Sequence, residues 1–374
     1  MFTLAVKSTL SILLSVLICI SGWFGMTGNK ATGEEAYKTY KNVIFMIGDG
    51  MGFNTLEATK QLKNVDLVME TMPVCSQSET RSLTNKVTDS AAGGTALACG
   101  VRTYNGAIGV YAFNPFANKW QHPVSLSEFA IEQGKAAGVV TTDKTSGATP
   151  ASFSAHAIAR SEEKNISKDQ MTSDLTLIWG CASESVTAEK CAENGFEYIS
   201  TKTEMDALEE GSRSIAQFNW ESVANVTDAN DTPYLAEMTA KAIDLLDDDA
   251  DGFFLMVEGA HIDKFSHSND FNGSTAHTVE FDKAIQVALD YAAQDGETLV
   301  IVTADHETGG ITYDAENDEY YYTSGSHTGV NVPVFVSATD AGFIDGKAYK
   351  NCEVSTQAAR VMGADEDDFP RIKL

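Results

Sequence analysis

The sequence predicts an α/β fold, a doubly wound and mostly parallel sheet flanked by helices. Three observations carry the prediction. Five short apolar runs rich in β-branched and aromatic residues are spaced along the chain, helical patterns lie between them, and three of the runs end in acidic residues. Strands covered on both faces read as continuous apolar runs with little alternation. Strands that alternate with helices imply a parallel sheet with crossover connections.

The elements follow in chain order. Residues 1–28 read as a targeting segment. Lys7 is the only charge in the first 29 residues, Ser8 to Phe24 is mostly apolar, and small residues follow at Gly25, Thr27 and Gly28. That is the pattern of a secretory signal peptide. The alternative is an uncleaved N-terminal anchor, since about 17–25 apolar residues can span a bilayer. Cys19 is a weaker candidate for lipid attachment, because bulky Ile18 precedes it. Export to the periplasm or the exterior is the expectation. Residues 35–374 are expected to form a single catalytic domain. Its strands are expected at 42–47, 138–142, 253–257, 298–303 and 332–337, and its helices at about 89–98, 124–134, 234–247 and 275–294. A more polar stretch at about 161–232, with N-x-S/T sequons, reads as an accessory insertion.

With 374 residues, 43% hydrophobic and 21% charged, the chain is globular in composition. A formal charge of -27 argues against nucleic acid as a partner, since phosphate backbones attract basic surfaces. Beyond the first 28 residues there are five cysteines. Cys181 and Cys191 could pair in an oxidising compartment, and Cys99 in "TALACG" reads as a buried thiol.

In open α/β sheets, ligands bind outside the carboxyl ends of the strands. "NVIFMIGDG" puts Asp49 there, "FFLMVEG" puts Glu258 there, and "LVIVTADHETGG" adds Asp305 and His306. Asp263 and His267 lie four apart, close enough to grip one ion from one helical turn. An oxygen and an imidazole together suit Zn²⁺. "GSHTG" offers His327 as a third ligand. Ser90 follows Asp89 and opens a helix of small residues, whose N-terminus offers free backbone N–H groups to an anion. A serine is a poor nucleophile without an activator. No G-x-S-x-G elbow is present, so a metal is the natural one. Taken singly, Asp89 or Ser90 could be only an N-cap, and any one histidine only a hydrogen-bonded structural residue.

The motifs "DGMG", "TDSAAGGTA", "ATPASFSAHAIAR", "VEGAHIDKFSH", "TADHETGG" and "SHTG" occur in the order and context of the alkaline phosphatase family. From about residue 40 onward the chain resembles that family's compact bacterial members. The resemblance implies an alkaline phosphatase-like doubly wound domain, a homodimer, and export. It implies hydrolysis of phosphate monoesters through a phosphoserine, with two Zn²⁺ and one Mg²⁺. On the matching positions Ser90 is the nucleophile. Asp49, Asp305 and His306 hold the second zinc with Ser90, and Asp263, His267 and His327 hold the first. Glu258 and Thr149 match magnesium ligands, with Asp49 shared. Arg160 matches the phosphate-clamping arginine, whose planar guanidinium grips two oxygens at once. Asp89 matches the residue that positions that arginine, and Lys264 lies near the phosphate. His261 is expected beside the site without ligating, and His122, His156 and His277 are expected to be structural.

One departure stands out. Gly147, two residues before Thr149, occupies a position where the family carries Asp or His. The expectation is a weakened magnesium site and a Lys264 freer to reach the substrate. A sulfatase would need Cys/Ser-x-Pro-x-Arg at the nucleophile, which "DSAAGG" lacks. Diesterases of the superfamily carry threonine there and no clamping arginine. An exported metal- or phosphate-binding protein without turnover is the rival outside the enzymes.

Overall fold

The computed structural model describes residues 37–111, 113–114 and 119–373, so the expected targeting segment lies outside the described residues. The core is one ten-stranded sheet. Its strands in chain order are β1 (Asn42–Gly48), β2 (Val74–Glu79), β3 (Ala136–Lys144), β4 (Leu177–Cys181), β5 (Glu197–Ile199), β6 (Ser214–Phe218), β7 (Phe253–Gly259), β8 (Thr298–Thr303), β9 (Val332–Val336) and β10 (Ala348–Lys350). Across the sheet they run β10-β2-β9-β8-β1-β7-β3-β4-β6-β5. Every pairing is parallel except the two made by β9. The doubly wound expectation therefore holds, with β9 reversed. All five expected strands are present.

The helices used below are α1 (Ser90–Cys99), α2 (Leu126–Glu132), α3 (Ala148–Ser154), α4 (Leu235–Leu246), α5 (His261–His267), α6 (Phe271–Asp295) and α7 (Asn351–Val361). Among the described residues no helix is long and apolar enough to cross a membrane.

Every side chain of β1 and β7 is buried. Val43, Phe45 and Ile47 join the apolar core on one face of the sheet with Phe254 and Met256. Ile44 and Met46 join the core on the other face with Phe253, Leu255 and Val257. The pleat thus divides each continuous apolar run between two cores. The central pair is in register from Val43 with Phe254 to Gly48 with Gly259, so both strands end at one level.

Residues 161–232 contribute β4, β5 and β6 to this same sheet and extend it beyond β3. All five described cysteines are free thiols. Cys181 lies in one core and Cys191 in the other, so the possible pair is not formed. The Cys181 thiol instead donates to the Thr142 carbonyl at 3.4 Å. Cys99 is buried, as expected.

Candidate active site

Three adjacent parallel strands, β8, β1 and β7, end together and release Asp305, Asp49 and Glu258 at one edge. Facing them is α1. Asp89 caps this helix by accepting from the Ala92 N–H at 3.0 Å, which aims its first turn and Ser90 at the edge. The helix can come this close because its residues are small. A Cβ at Gly93 would lie 3.0 Å from the Asp305 carbonyl oxygen and 3.1 Å from its Cβ. The helix ends at Gly100, where φ is +67°, a backbone conformation that favours glycine.

Two groups of possible ligand atoms converge: Asp49, Asp305 and His306, and Asp263, His306 and His327. His306 Nε2 lies 3.5 Å from Asp49 Oδ1, 3.3 Å from Asp305 Oδ2 and 3.2 Å from the Ser90 hydroxyl. On α5, His267 Nε2 lies 3.4 Å from Asp263 Oδ2, and His327 Nε2 lies 3.6 Å from Asp263 Oδ1. The four-residue spacing therefore brings Asp263 and His267 together as the sequence suggests.

Tautomers show what belongs between these atoms. His267 Nδ1 sits 2.8 Å from the Gly325 carbonyl oxygen, and His327 Nδ1 sits 2.9 Å from that of Thr88. A carbonyl only accepts, so both Nδ1 atoms donate and both Nε2 atoms of the neutral rings present lone pairs. Those two Nε2 atoms face each other at 3.0 Å. Two lone pairs at that distance repel unless a cation or a proton lies between them. His306 is held the same way. Its Nδ1 lies 3.2 Å from the Thr308 hydroxyl, which donates to Asp263 and so accepts from the ring.

The carboxylates make the same demand for positive charge. Asp49 Oδ1 and Asp305 Oδ2 are buried with no hydrogen-bond partner among the described residues. Burial, reinforced by the neighbouring carboxylates Asp305, Asp263 and Glu258, holds Asp49 well above the usual range. Burial and then Asp263 push Asp305 up to about 7. Burial and then Asp143 push Glu258 up to about 8. Asp263 goes the other way. Burial opposes its charge, but the His267 and Thr308 hydrogen bonds and the nearby His306 hold it low. Burial keeps His306 neutral. A cluster of acids this deeply buried calls for cations, and the mixed oxygen and imidazole donors suit zinc.

Glu258 accepts a hydrogen bond from the Thr141 hydroxyl on the next strand. Thr149, in the first turn of α3, has a buried hydroxyl with no hydrogen-bond partner among the described residues. Hard oxygens of this kind suit magnesium. Arg160 is half-exposed at the rim, with its Nη1 3.4 Å from Asp89 Oδ2, an oxygen that also accepts from the Gly106 N–H at 2.9 Å. His261 is packed among aromatic rings. It stacks on His277 and meets Trp220 at a tilt of 50°, both at 4.8 Å between centroids, and neither ring nitrogen has a hydrogen-bond partner among the described residues. Burial first, then His277 and Lys264, push it down to about 2. His122 stacks on His156, which bonds the Gly109 carbonyl.

One expectation is corrected here. Lys264 is not freed by Gly147, because its Nζ lies 3.1 Å from Asp143 Oδ2. Burial works against its charge, but Asp143, Asp49 and Glu258 keep it firmly protonated. Sequence reasoning also missed Thr308 and Thr141, the hydroxyls that orient Asp263, His306 and Glu258. Thr308 stands inside "DHETGG", two residues beyond a recognised ligand, and was within reach.

Serine, carboxylates and imidazoles gathered at the C-terminal edge of a doubly wound sheet are the groups that a metal-assisted hydrolase requires. The comparisons with known proteins are specific. The model of the family described as alkaline phosphatase matches residues 40–181 and 184–323. Alkaline phosphatase 4 of Bacillus subtilis is 32% identical over 360 residues, covering 88% of this chain and 76% of its own. The Escherichia coli alkaline phosphatase is 32% identical over 341 residues, covering 72% and 70%. The solved structure of the alkaline phosphatase from the Antarctic bacterium TAB5 superposes with a TM-score of 0.75 at 30% identity, covering 88% of this chain and all of that one. A variant of that enzyme was solved with magnesium bound in its M3 site. The chain belongs to the alkaline phosphatase family.

Proposed function

We propose that this protein hydrolyses phosphate monoesters to an alcohol and inorganic phosphate through a covalent phosphoserine on Ser90. The observation that carries the reading is the convergence of imidazole Nε2 atoms, those of His267 and His327 facing each other at 3.0 Å and that of His306 lying 3.2 Å from the hydroxyl of Ser90 at the head of a helix. Asp49, Asp305 and His306 would hold one zinc, and Asp263, His267 and His327 the other. Glu258 and Thr149, with Asp49 shared, would hold magnesium. When bound, the zinc ions supply the Lewis acidity that lowers the serine pKa and stabilises the attacking and leaving oxygens.

The chain's own residues do the rest. The first turn of α1 presents Ser90 Oγ and its backbone N–H groups to the phosphoryl group. Oγ forms the new P–O bond as the ester P–O bond opposite it breaks, and the alcohol leaves. Arg160, steadied by Asp89, binds two non-bridging oxygens, and Lys264 adds a second positive charge. Water then cleaves the phosphoserine, returning the Ser90 hydroxyl and releasing phosphate. Little in this arrangement contacts the leaving group, so breadth among monoesters is expected. A homodimer exported from the cytoplasm, with residues 1–28 as signal or anchor, completes the reading.

The test is metal content measured beside hydrolysis of p-nitrophenyl phosphate from pH 7 to 10. Turnover that rises toward alkaline pH, is lost on chelation and returns with zinc and magnesium supports the reading. Ser90→Ala is expected to lower kcat by at least about 10³-fold while phosphate still binds. Full zinc occupancy with no monoester turnover would move the assignment to a diesterase or a binding protein.

A further inference from the structure

At position 147 the family's acidic or imidazole side chain is missing, yet the space is filled. A Cβ built on Gly147 would lie 2.5 Å from Asp143 Oδ2 and 2.8 Å from its Cγ. The Asp143 carboxylate therefore stands in the volume that a side chain at 147 would enter. Backbone geometry delivers it there. The pairing of β3 with β4 is regular from Gly138 to Val140, then shifts register before Lys144. A bulge of this kind re-aims the side chains that follow it, and such bulges concentrate beside active sites.

The carboxylate is fixed on both sides. Oδ1 accepts from the Lys144 N–H at 2.8 Å, and Oδ2 lies 3.1 Å from Lys264 Nζ. The Asp143 N–H donates to Thr141 Oγ1 at 2.8 Å, and that hydroxyl donates to Glu258. One short network thus links Asp143, Thr141, Glu258 and Lys264. Beside it, two residues beyond Gly147, the Thr149 hydroxyl is 1% exposed at residue level and has no hydrogen-bond partner among the described residues.

We propose that Asp143, carried inward by the bulge at the end of β3, supplies the carboxylate that position 147 lacks: it positions Lys264 and completes the surroundings of the magnesium ion held by Glu258, Thr149 and Asp49. The proposal rests on the function given above. It reverses the expectation drawn from Gly147 alone, because the site keeps its acid and only the position in the chain that provides it has changed.

The experiment compares wild type, Asp143→Asn, Gly147→Asp and the double variant Asp143→Ala/Gly147→Asp, each loaded with zinc. Magnesium affinity is read by calorimetry, and phosphate affinity as the competitive inhibition constant of inorganic phosphate. Asp143→Asn keeps the shape and loses the charge. It is expected to weaken magnesium by about 10- to 100-fold, the usual cost of losing a residue that supports metal ligands, and to weaken phosphate as well. Gly147→Asp alone is expected to bind magnesium worse than wild type, because two carboxylates contend for one space. The double variant relieves the carboxylate contact but leaves a Cβ at 147 that lies 2.9 Å from the Lys144 carbonyl oxygen. It is therefore expected to bind magnesium more tightly than Gly147→Asp alone without regaining the wild-type affinity, since the two positions are coupled through that space. Unchanged magnesium and phosphate affinities in Asp143→Asn would overturn the proposal. A double variant no better than Gly147→Asp alone would overturn the exchange of positions. Wild-type protein that binds zinc but neither magnesium nor phosphate would overturn the functional reading and this assignment with it.

Discussion

Stripping the divalent ions with a chelator leaves Glu258 and Asp305 buried without those ions, and the stripped protein is expected to lose stability as pH rises from 6.5 to 8. In the folded chain Glu258 sits at about 8 and Asp305 at about 7, both raised chiefly by burial. In the unfolded chain both titrate near about pH 4. A carboxyl whose folded pKa is raised contributes stability that is fully present below its unfolded pKa. That contribution is lost as pH climbs through the folded value, at about 1.4 kcal/mol per unit for each proton. From pH 6.5 to 8 Glu258 then accounts for a loss of about 2 kcal/mol and Asp305 for somewhat under about 1 kcal/mol. Asp49 and His267 are both raised and act in the same direction. His306, held neutral by burial in the folded chain, still titrates near about pH 6.5 when unfolded, so it regains a few tenths of a kcal/mol across this window, as do His261 and His277, and together they offset part of the loss. With an unfolding entropy of about 2 cal/mol/K per residue, a loss of about 3 kcal/mol lowers Tm by about 4 °C in a chain of this size. Differential scanning calorimetry of stripped and ion-loaded protein across the pH series measures it. The loaded protein is expected to show a flatter Tm, because bound cations favour the ionised carboxylates. A stripped protein whose Tm stays level or rises over this window would refute the reasoning.

Further outcomes are expected at two positions. Asp89→Ala removes both the cap of α1 and the bond to the Gly106 N–H, so thermal or urea denaturation should register a loss of about 2 kcal/mol. Asp89→Asn can keep only one of those two bonds, because its amide nitrogen cannot accept from an N–H. It should cost about 1 kcal/mol, less than Asp89→Ala, and weaken inhibition by phosphate as Arg160 loses its steadying charge. Phe153→Ala removes a fully buried ring that lies 6.0 Å from Phe45 and 6.1 Å from Phe254 between centroids. A loss of about 3–5 kcal/mol is expected. Urea denaturation measures it, and a loss under about 1 kcal/mol would mean that α3 is not anchored through this ring.

The strands that build the site were legible because they are covered on both faces, and their apolar runs admit no other strand assignment. The outer strands were not. In β6, "SIAQF", all five residues are buried, including the polar Ser214 and Gln217. Ser214 accepts from the Trp179 indole, and Gln217 bonds the Ser183 N–H and Thr145. Those partners are remote in sequence, so a satisfied strand of the core sheet read as part of a polar insertion. The ligand motifs were legible for a related reason, since their spacing survives in one dimension, as with Asp263 and His267. Asp143 was not, because its role depends on a register shift and on an absent side chain four residues away. Neither has a sequence signature of its own.

The anchoring of His327 ties ion chemistry to backbone position. Its ring hangs from the carbonyl of Thr88, which immediately precedes the residue that caps α1. Any movement of the imidazole toward or away from an ion therefore pulls on the peptide that launches the serine helix. The histidine pair is then more than a receptacle. In the proposed reading an ion held by His267 and His327 is linked through the Thr88 peptide to the entry of α1, so exchanging it for a larger or smaller one is expected to displace Ser90.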